Sequence, residues 1–127
     1  MKYSIMLAIL TITILFSVPV SSCEAKDVWV SHWTSEDIDI YVMEDTIVGN
    51  SFNENKHFTV SVKEVKDGKL VKLVDWSFSR YKTDMWRYET STMDGTHTTV
   101  VIHKNEIFEF CMNNLGWSYR IEDMWYY

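Results

Sequence analysis

The chain has 127 residues, of which 46% are hydrophobic and 15% aromatic, and this length suits a single domain. Only 4 residues are Gly and 1 is Pro, which excludes collagen-like chains and Pro/Gly-rich disordered chains. The net charge of −6 comes without a basic block, which argues against a nucleic-acid partner because phosphate binding needs clustered Lys and Arg.

The first 25 residues have the pattern of a secretory signal peptide. Lys2 is the only charge before Glu24, and residues 5–16 (IMLAILTITILF) form an apolar run. This run is too short to span a bilayer, which needs roughly 20 apolar residues. Small residues follow it, as they do before a cleavage site. We expect residues 1–25 to be a signal peptide and residues 26–127 to be one exported domain.

Alternative maturation routes fit the residues around Cys23. Residues 20–23 (VSSC) resemble a bacterial lipobox, in which the cysteine is lipidated and becomes the mature N-terminus. Ordinary cleavage before Cys23 would keep both thiols, and an exported protein could join Cys23 to Cys111 in a disulfide. Cleavage after Ala25 would leave Cys111 alone, as an inert core thiol. Neither cysteine has CxxC or zinc-type spacing, and no cofactor is expected.

Most of the remaining chain alternates between apolar and polar residues, which is typical of half-buried strands. Asp67-Gly68 and Asp94-Gly95 each predict a hairpin because both residue types tolerate positive φ. Gly49-Asn50 is expected to bend or turn the chain. The predicted strands cover residues 28–33, 38–43, 46–52, 58–63, 70–81 and 85–88, followed by a return through 97–102.

One helix is predicted between Asn105 and Gly116. Asn105 is a good N-cap, Glu106 suits the positive end of the helix dipole, and Gly116 lies where a glycine commonly ends a helix. The apolar face is expected to hold Ile107, Phe110, Cys111 and Leu115. The predicted fold class is therefore α+β: an antiparallel β-meander of about six strands with one C-terminal helix packed on one face.

The sequence contains no recognisable catalytic motif. GxGxxG, Walker, GxSxG and HExxH patterns are all absent. Acidic residues cluster at 36–39 and 44–45, where solvated turns are expected, and the scattered histidines are expected to be exposed. We therefore expect no enzymatic activity and no catalytic, cofactor-binding or metal-ligating residue. The four histidines are His32, His57, His97 and His103.

Aromatic residues offer the clearest candidates for binding. Trp86 and Tyr88 are predicted to lie in the core. The C-terminal Trp125, Tyr126 and Tyr127 form a candidate surface for a sugar ring or a protein partner, although the same rings could pack on the domain.

Residues 39–47 (DIYVMEDTI) resemble a pattern in small exported bacterial proteins, in which a strand with a Tyr is followed by an acid, a hydroxyl residue and Ile or Val. A longer hairpin, a strand with Trp and Tyr, and a late helix follow in the same order. Over most of residues 28–116 the chain is similar to the surface-adhesin protein E-like group. The resemblance implies an antiparallel sheet with a packed helix. Some members are surface proteins that bind host extracellular-matrix components, which implies an adhesin-like role.

These observations predict an exported, non-enzymatic, envelope-associated domain that binds an unidentified protein or surface. The expected contact surface is the sheet face that the helix leaves open, or an exposed sheet edge. The alternative is a glycan- or cell-wall-binding module that uses Trp125, Tyr126 and Tyr127. The domain is expected to be secreted, periplasmic or anchored at the envelope, with membrane contact only through a lipid at Cys23.

Overall fold

A computed structural model describes residues 27–127. The predicted signal peptide and Cys23 lie outside these described residues. The α+β class is confirmed, with a mostly antiparallel sheet and one helix near the C-terminus. The elements are β1 (Asp27–Trp33), β2 (Ile38–Met43), a 3-10 turn (Glu44–Thr46), β3 (Val48–Phe52), β4 (Asn55–Lys66), β5 (Lys69–Arg80), β6 (Arg87–Thr90), β7 (Thr99–Val100), α1 (Glu106–Leu115), β8 (Ile121–Glu122) and β9 (Trp125–Tyr126).

The main sheet runs β1-β2-β4-β5-β6-β7, and β3 pairs with β4 beside β2. Strands β2 and β3 therefore lie end to end along β4, separated by the 3-10 turn. The Thr46 hydroxyl bridges this interruption, because it accepts from the Ser61 N–H at 2.8 Å and donates to the Met43 carbonyl at 2.6 Å. The Thr46 side chain thus replaces a backbone hydrogen-bond acceptor for β4 at the point where the strand pairing is interrupted.

The predicted turns have different outcomes. Asp67-Gly68 forms the expected tight hairpin, with φ of 51° and 73°. The turn expected at Gly49-Asn50 is wrong, because β3 continues through both residues and the chain turns at Asn53-Glu54. Gly49 is instead needed for close packing, since an added Cβ would lie 2.8 Å from Leu115 Cδ2. Asp94-Gly95 lies within a wider loop between β6 and β7.

Helix α1 begins and ends as predicted. The Asn105 side chain accepts from the Phe108 N–H at 2.9 Å, and Gly116 adopts φ 72° at the other end. Ile107 and Cys111 are buried as expected, whereas Phe110 and Leu115 are only partly buried. The buried face also contains Phe108 and Met112, which the sequence analysis left out.

The core lies between the sheet and α1. Alternate residues of β2, β4 and β5 contribute one wall, and the helix closes it. Two large side chains, Trp86 and Tyr126, are fully buried against Phe108, with ring centroids 5.3 and 4.4 Å from it. The opposite face of the sheet is left without a covering layer among the described residues. The buried core residues are Ile38, Ile40, Val42, Phe58, Val60, Val62, Val74, Trp76, Phe78, Trp86, Val101, Ile107, Phe108, Cys111, Met112 and Tyr126.

Candidate binding surface

Large apolar side chains lie next to one another on the open face, the side of the sheet opposite α1. Trp29, Tyr41, Lys63 and Leu73 are successive register partners across four strands. Register partners point to the same face, so these side chains form one row. The adjacent row holds His32, Asp39, Val65 and Leu70. We call the five apolar members the open-face patch: Trp29, Tyr41, Val65, Leu70 and Leu73.

The open-face patch is accessible to a partner. Trp29, Leu70 and Leu73 are 53%, 58% and 53% exposed. An ion pair between Lys63 Nζ and Asp27 Oδ2, 2.6 Å apart, crosses the patch. A shallow groove of about 480 Å³ lies over this pair, bounded by Tyr41 and Leu70. Exposed apolar side chains grouped on one face in this way mark interaction sites in soluble proteins.

The patch continues onto the hairpin formed by residues 63–73 of β4 and β5, which we call the projecting hairpin. Its tip extends past the neighbouring strands β2 and β6. Strand β2 pairs with β4 no farther than Val65, and β6 pairs with β5 only from Trp76 to Ser79. Every residue from 66 to 73 is exposed. This segment includes Val71, which is 60% exposed and is the extra residue where the β4–β5 register shifts.

One edge of the projecting hairpin is unpaired among the described residues. The β5–β6 ladder ends at Asp75, whose carbonyl accepts from the Ser91 N–H at 2.9 Å and whose N–H donates to Ser91 Oγ at 3.0 Å. Backbone groups two residues apart in a strand point to the same side. The N–H and carbonyl of Leu73 therefore point toward the free edge, which runs along β5 from Lys69 to Val74.

The projecting hairpin has the opposite charge to the rest of the chain. It contains four lysines and two acids, a net charge of +2 within residues 63–73, whereas the whole chain carries −6. The residues outside the hairpin therefore carry a net charge of −8. A positive hairpin on a negative protein creates a local field that selects acidic partners. The charged residues are Lys63, Glu64, Lys66, Asp67, Lys69 and Lys72.

A polar cluster holds the exposed Trp29 on edge strand β1. Asp39 Oδ1 accepts from Trp29 Nε1 at 3.0 Å and lies 2.9 Å from His32 Nδ1. Asp37 Oδ1 lies 3.2 Å from His32 Nε2. The hydrogen bond with Asp39 is the largest cause of the raised pKa of His32, and the bond from Trp29 is the largest cause of the lowered pKa of Asp39.

The sequence pattern predicts a solvated turn at Asp37 and Asp39 and gives no sign of their link to Trp29. Only the strand register, with Trp29 opposite Tyr41 and His32 opposite Asp39, brings them together. Of the other histidines, His57 Nε2 lies 2.8 Å from Ser77 Oγ. Within residues 27–127, no group of three or more His, Cys, Asp or Glu side chains is placed to hold a metal ion.

The predicted C-terminal surface is divided between core and surface. Tyr126 is fully buried, so its ring offers no face to a partner in the folded domain. Trp125 and Tyr127 are half-buried, and the Arg120 guanidinium lies 4.8 Å from the Tyr127 ring centroid. Binding through Trp125 and Tyr127 stays a prediction.

Cys111 lies in the core, and burial raises the pKa of its thiol to about 12. It has no disulfide partner among the described residues. Cys23, the site of predicted lipidation or pairing, lies outside them.

A second accessible aromatic pair lies at the other end of the sheet. Phe52 and Tyr81 are 71% and 64% exposed and line a cleft of about 320 Å³. Asn50 and His57 contribute polar groups to the same cleft. Neither ring stands out from the other aromatic positions in the sequence, because the cleft exists only once β3 and β5 lie on either side of β4.

Comparisons with protein-family models, curated proteins and solved structures found no match to this chain. No helix within residues 27–127 has both the length and the apolar character needed to cross a bilayer.

Proposed function

We propose that this protein is an exported, non-enzymatic domain that acts at the cell envelope by binding a protein partner through the open-face patch. The observation that carries the proposal is the grouping of exposed Trp29, Leu70 and Leu73 on one sheet face, with Tyr41 and Val65 in the same two rows. Residues 1–25 support export, since they have the pattern of a secretory signal. The protein E-like resemblance supports an adhesin-like role.

Leaving these apolar side chains in water costs free energy that a partner would recover by covering them. Burial of apolar surface contributes about 25 cal/mol per Å², and interface hot spots commonly contain an aromatic anchor such as Trp. The bonds from Trp29 to Asp39 and around His32 hold that anchor in one orientation. Trp29 then loses less conformational entropy when a partner binds than a freely rotating side chain would.

The export half of the proposal is tested by intact mass. The full chain is produced in its own or a related bacterium, and the protein is recovered from the envelope and the medium. A product that begins at Cys23 or Lys26, or one that carries acyl chains on Cys23, is the expected result. Recovery of only the uncleaved 127-residue chain would overturn export.

The binding half is tested with purified exported protein on washed envelopes of the same bacterium. The double substitution L70S/L73S removes two exposed apolar members of the patch. The matched control is I121S/M124S, which changes two side chains with similar exposure, 49% and 53%, in the separate β8–β9 hairpin. We expect the patch variant to lose envelope binding and the control to keep it. Equal binding by all three proteins would contradict the proposal.

Glycan binding is a second candidate, and the cleft between Phe52 and Tyr81 favours it. Two exposed rings beside amide groups offer the apolar and hydrogen-bonding contacts that sugar rings use. The F52A/Y81A variant tests this cleft, and a variant with Trp125 and Tyr127 changed to Ala tests the predicted C-terminal surface. Loss of cell-wall binding in one variant, with unchanged thermal unfolding, would assign the site.

A further inference from the structure

We propose that the partner adds a β-strand to the free edge of β5, and that this strand belongs to an acidic, apolar extended segment of an envelope protein. This inference rests on the proposed function and specifies its geometry and its partner chemistry. It follows from the unpaired backbone of the projecting hairpin together with the hairpin's charge.

The backbone identifies the binding mode. The N–H and carbonyl of Leu73 point away from β4 at a position where the β5–β6 ladder has already ended at Asp75. An extended peptide beside Leu73 would continue the seven-stranded sheet and satisfy these groups. Strand addition of this kind gives affinity through the main chain and specificity through alternate side chains.

The side chains identify the partner's composition. Lys69 and Lys72 flank the free edge, and Leu70 and Leu73 lie on the open face beside it. A docking strand that alternates acidic and apolar residues would place its acids near the lysines and its apolar side chains beside the patch. Opposite charges across neighbouring strands stabilise the pair, whereas like charges destabilise it.

Charge and backbone hydrogen bonding also argue against two other occupants of the free edge. A second copy paired antiparallel along β5 would bring Lys69 and Lys72 of each copy close to those of the other, so their charges would repel. An anionic bilayer could attract the lysines, but lipid hydrocarbon cannot satisfy the backbone groups of an open sheet edge. A protein strand meets both the electrostatic and the hydrogen-bonding requirement.

The direct test uses synthetic peptides of about eight residues with alternating Glu and Val, capped at both ends. One matched probe replaces every Glu with Lys. Another keeps the sequence but carries methyl groups on alternate backbone nitrogens, which removes the ladder donors. We expect the Glu/Val peptide to bind the exported protein, and each matched probe to bind at least about tenfold more weakly.

Two variants locate the binding edge. L73P removes an N–H that points outward, so it blocks strand addition without removing a hydrogen bond to β4. L73S loses the same leucine side chain but keeps that N–H, so L73P should lose more affinity than L73S. K69E/K72E reverses the edge charge at two exposed positions, so it keeps the test informative if L73P does not fold. We expect L73P and K69E/K72E to lose at least about tenfold in affinity for the Glu/Val peptide, and K69E/K72E to prefer the Lys probe.

Several results would overturn the inference. These are equal binding of the methylated peptide, unchanged affinity in both edge variants, or no binding of the Glu/Val peptide. Binding to vesicles of phosphatidylcholine with phosphatidylglycerol, without peptide binding, would assign the hairpin to a lipid surface. Dimerisation in sedimentation that K69E/K72E changes would assign the edge to a second copy.

The two proposals can fail separately. If L70S/L73S abolishes envelope binding while the peptides do not bind, the open-face patch is functional but strand addition is wrong. If the L70S/L73S variant binds envelopes as wild type does, the proposed function fails whatever the peptides do.

Discussion

The Thr46 hydroxyl accepts the Ser61 N–H at 2.8 Å, at the point where β2 and β3 are interrupted along β4. We expect Thr46→Val to leave this N–H without a partner, because valine fills a similar volume but has no oxygen. The expected loss in the free energy of unfolding is about 1–3 kcal/mol. Denaturant unfolding measures it. Thr46→Ser keeps the hydroxyl and should lose much less, and an unchanged Thr46→Val midpoint would contradict the bridging role.

Tyr126 gives a second stability prediction. Its ring is buried against Phe108, and its hydroxyl donates to Glu109 and accepts from the Asn105 N–H at 3.2 Å. Tyr126→Ala should cost about 3–5 kcal/mol, as for other large core aromatics. Thermal unfolding with circular dichroism measures this loss. Tyr127→Ala is the adjacent control at a half-buried site. Equal losses of stability in the two variants would contradict the position of Tyr126 in the core.

Gly49 should tolerate no side chain without rearrangement. An alanine Cβ there would lie 2.8 Å from Leu115 Cδ2 and 3.1 Å from a Trp117 ring carbon. We expect Gly49→Ala to destabilise the domain by about 1–3 kcal/mol, the usual cost of overpacking. Urea unfolding of Gly49→Ala alone and together with Leu115→Ala tests the cause. If the contact with Leu115 causes the loss, Gly49→Ala should lower the free energy of unfolding less in the Leu115→Ala protein than in wild type.

The His32–Asp39 pair predicts a pH dependence. The pKa of His32 is raised from 6.5, so its contribution is complete below that value and is lost as pH rises through the folded-state pKa. The pKa of Asp39 is lowered from 3.8, so its contribution is present above 3.8 and is lost as pH falls through the folded-state value. The pair therefore stabilises the fold most between these two ordinary values.

The measurement compares wild type with His32→Gln at about pH 5.5 and about pH 8. The difference in Tm should be larger at the lower pH. An NMR titration of the His32 ring should give a midpoint above 6.5. A His32 midpoint at or below its ordinary value would contradict the bonded geometry.

Cys111 should be unreactive in the native protein. Its thiol is buried, and burial raises its pKa to about 12, so little thiolate is present at neutral pH. We expect iodoacetamide to label Cys111 only after unfolding in urea, as followed by intact mass. The same spectra with and without reductant test the predicted alternatives at Cys23, since a Cys23–Cys111 disulfide would add two hydrogens on reduction.

Local patterns predicted the helix ends and one hairpin because each depends on one or two residues. Asn105 and Gly116 act through their own backbone and side-chain geometry, and Asp67-Gly68 does the same in its turn. Gly49 was misread because a glycine needed for close packing looks identical, in sequence, to a glycine needed for a turn. The contact that distinguishes them comes from Leu115, 66 positions later.

The candidate surface was only partly predictable. The sequence predicts binding at the open face or an exposed edge, but its clearest aromatic cluster lies near the C-terminus. Exposure depends instead on which sheet face the helix covers and on which strands end early. Leu70 and Leu73 lie in a segment that looks like any other strand in the sequence, and they are exposed because they lie on the open face of a hairpin that extends beyond β2 and β6.

The position of Tyr126 has a consequence for biogenesis. The Tyr126 ring packs on Phe108, which in turn contacts Trp86. This part of the core therefore cannot be completed until the ribosome has synthesised residue 126. A growing chain therefore keeps Trp86 and Phe108 without their final packing partner until residue 126 has been made. Delayed closure of the core would keep the polypeptide unfolded for the export proposed above.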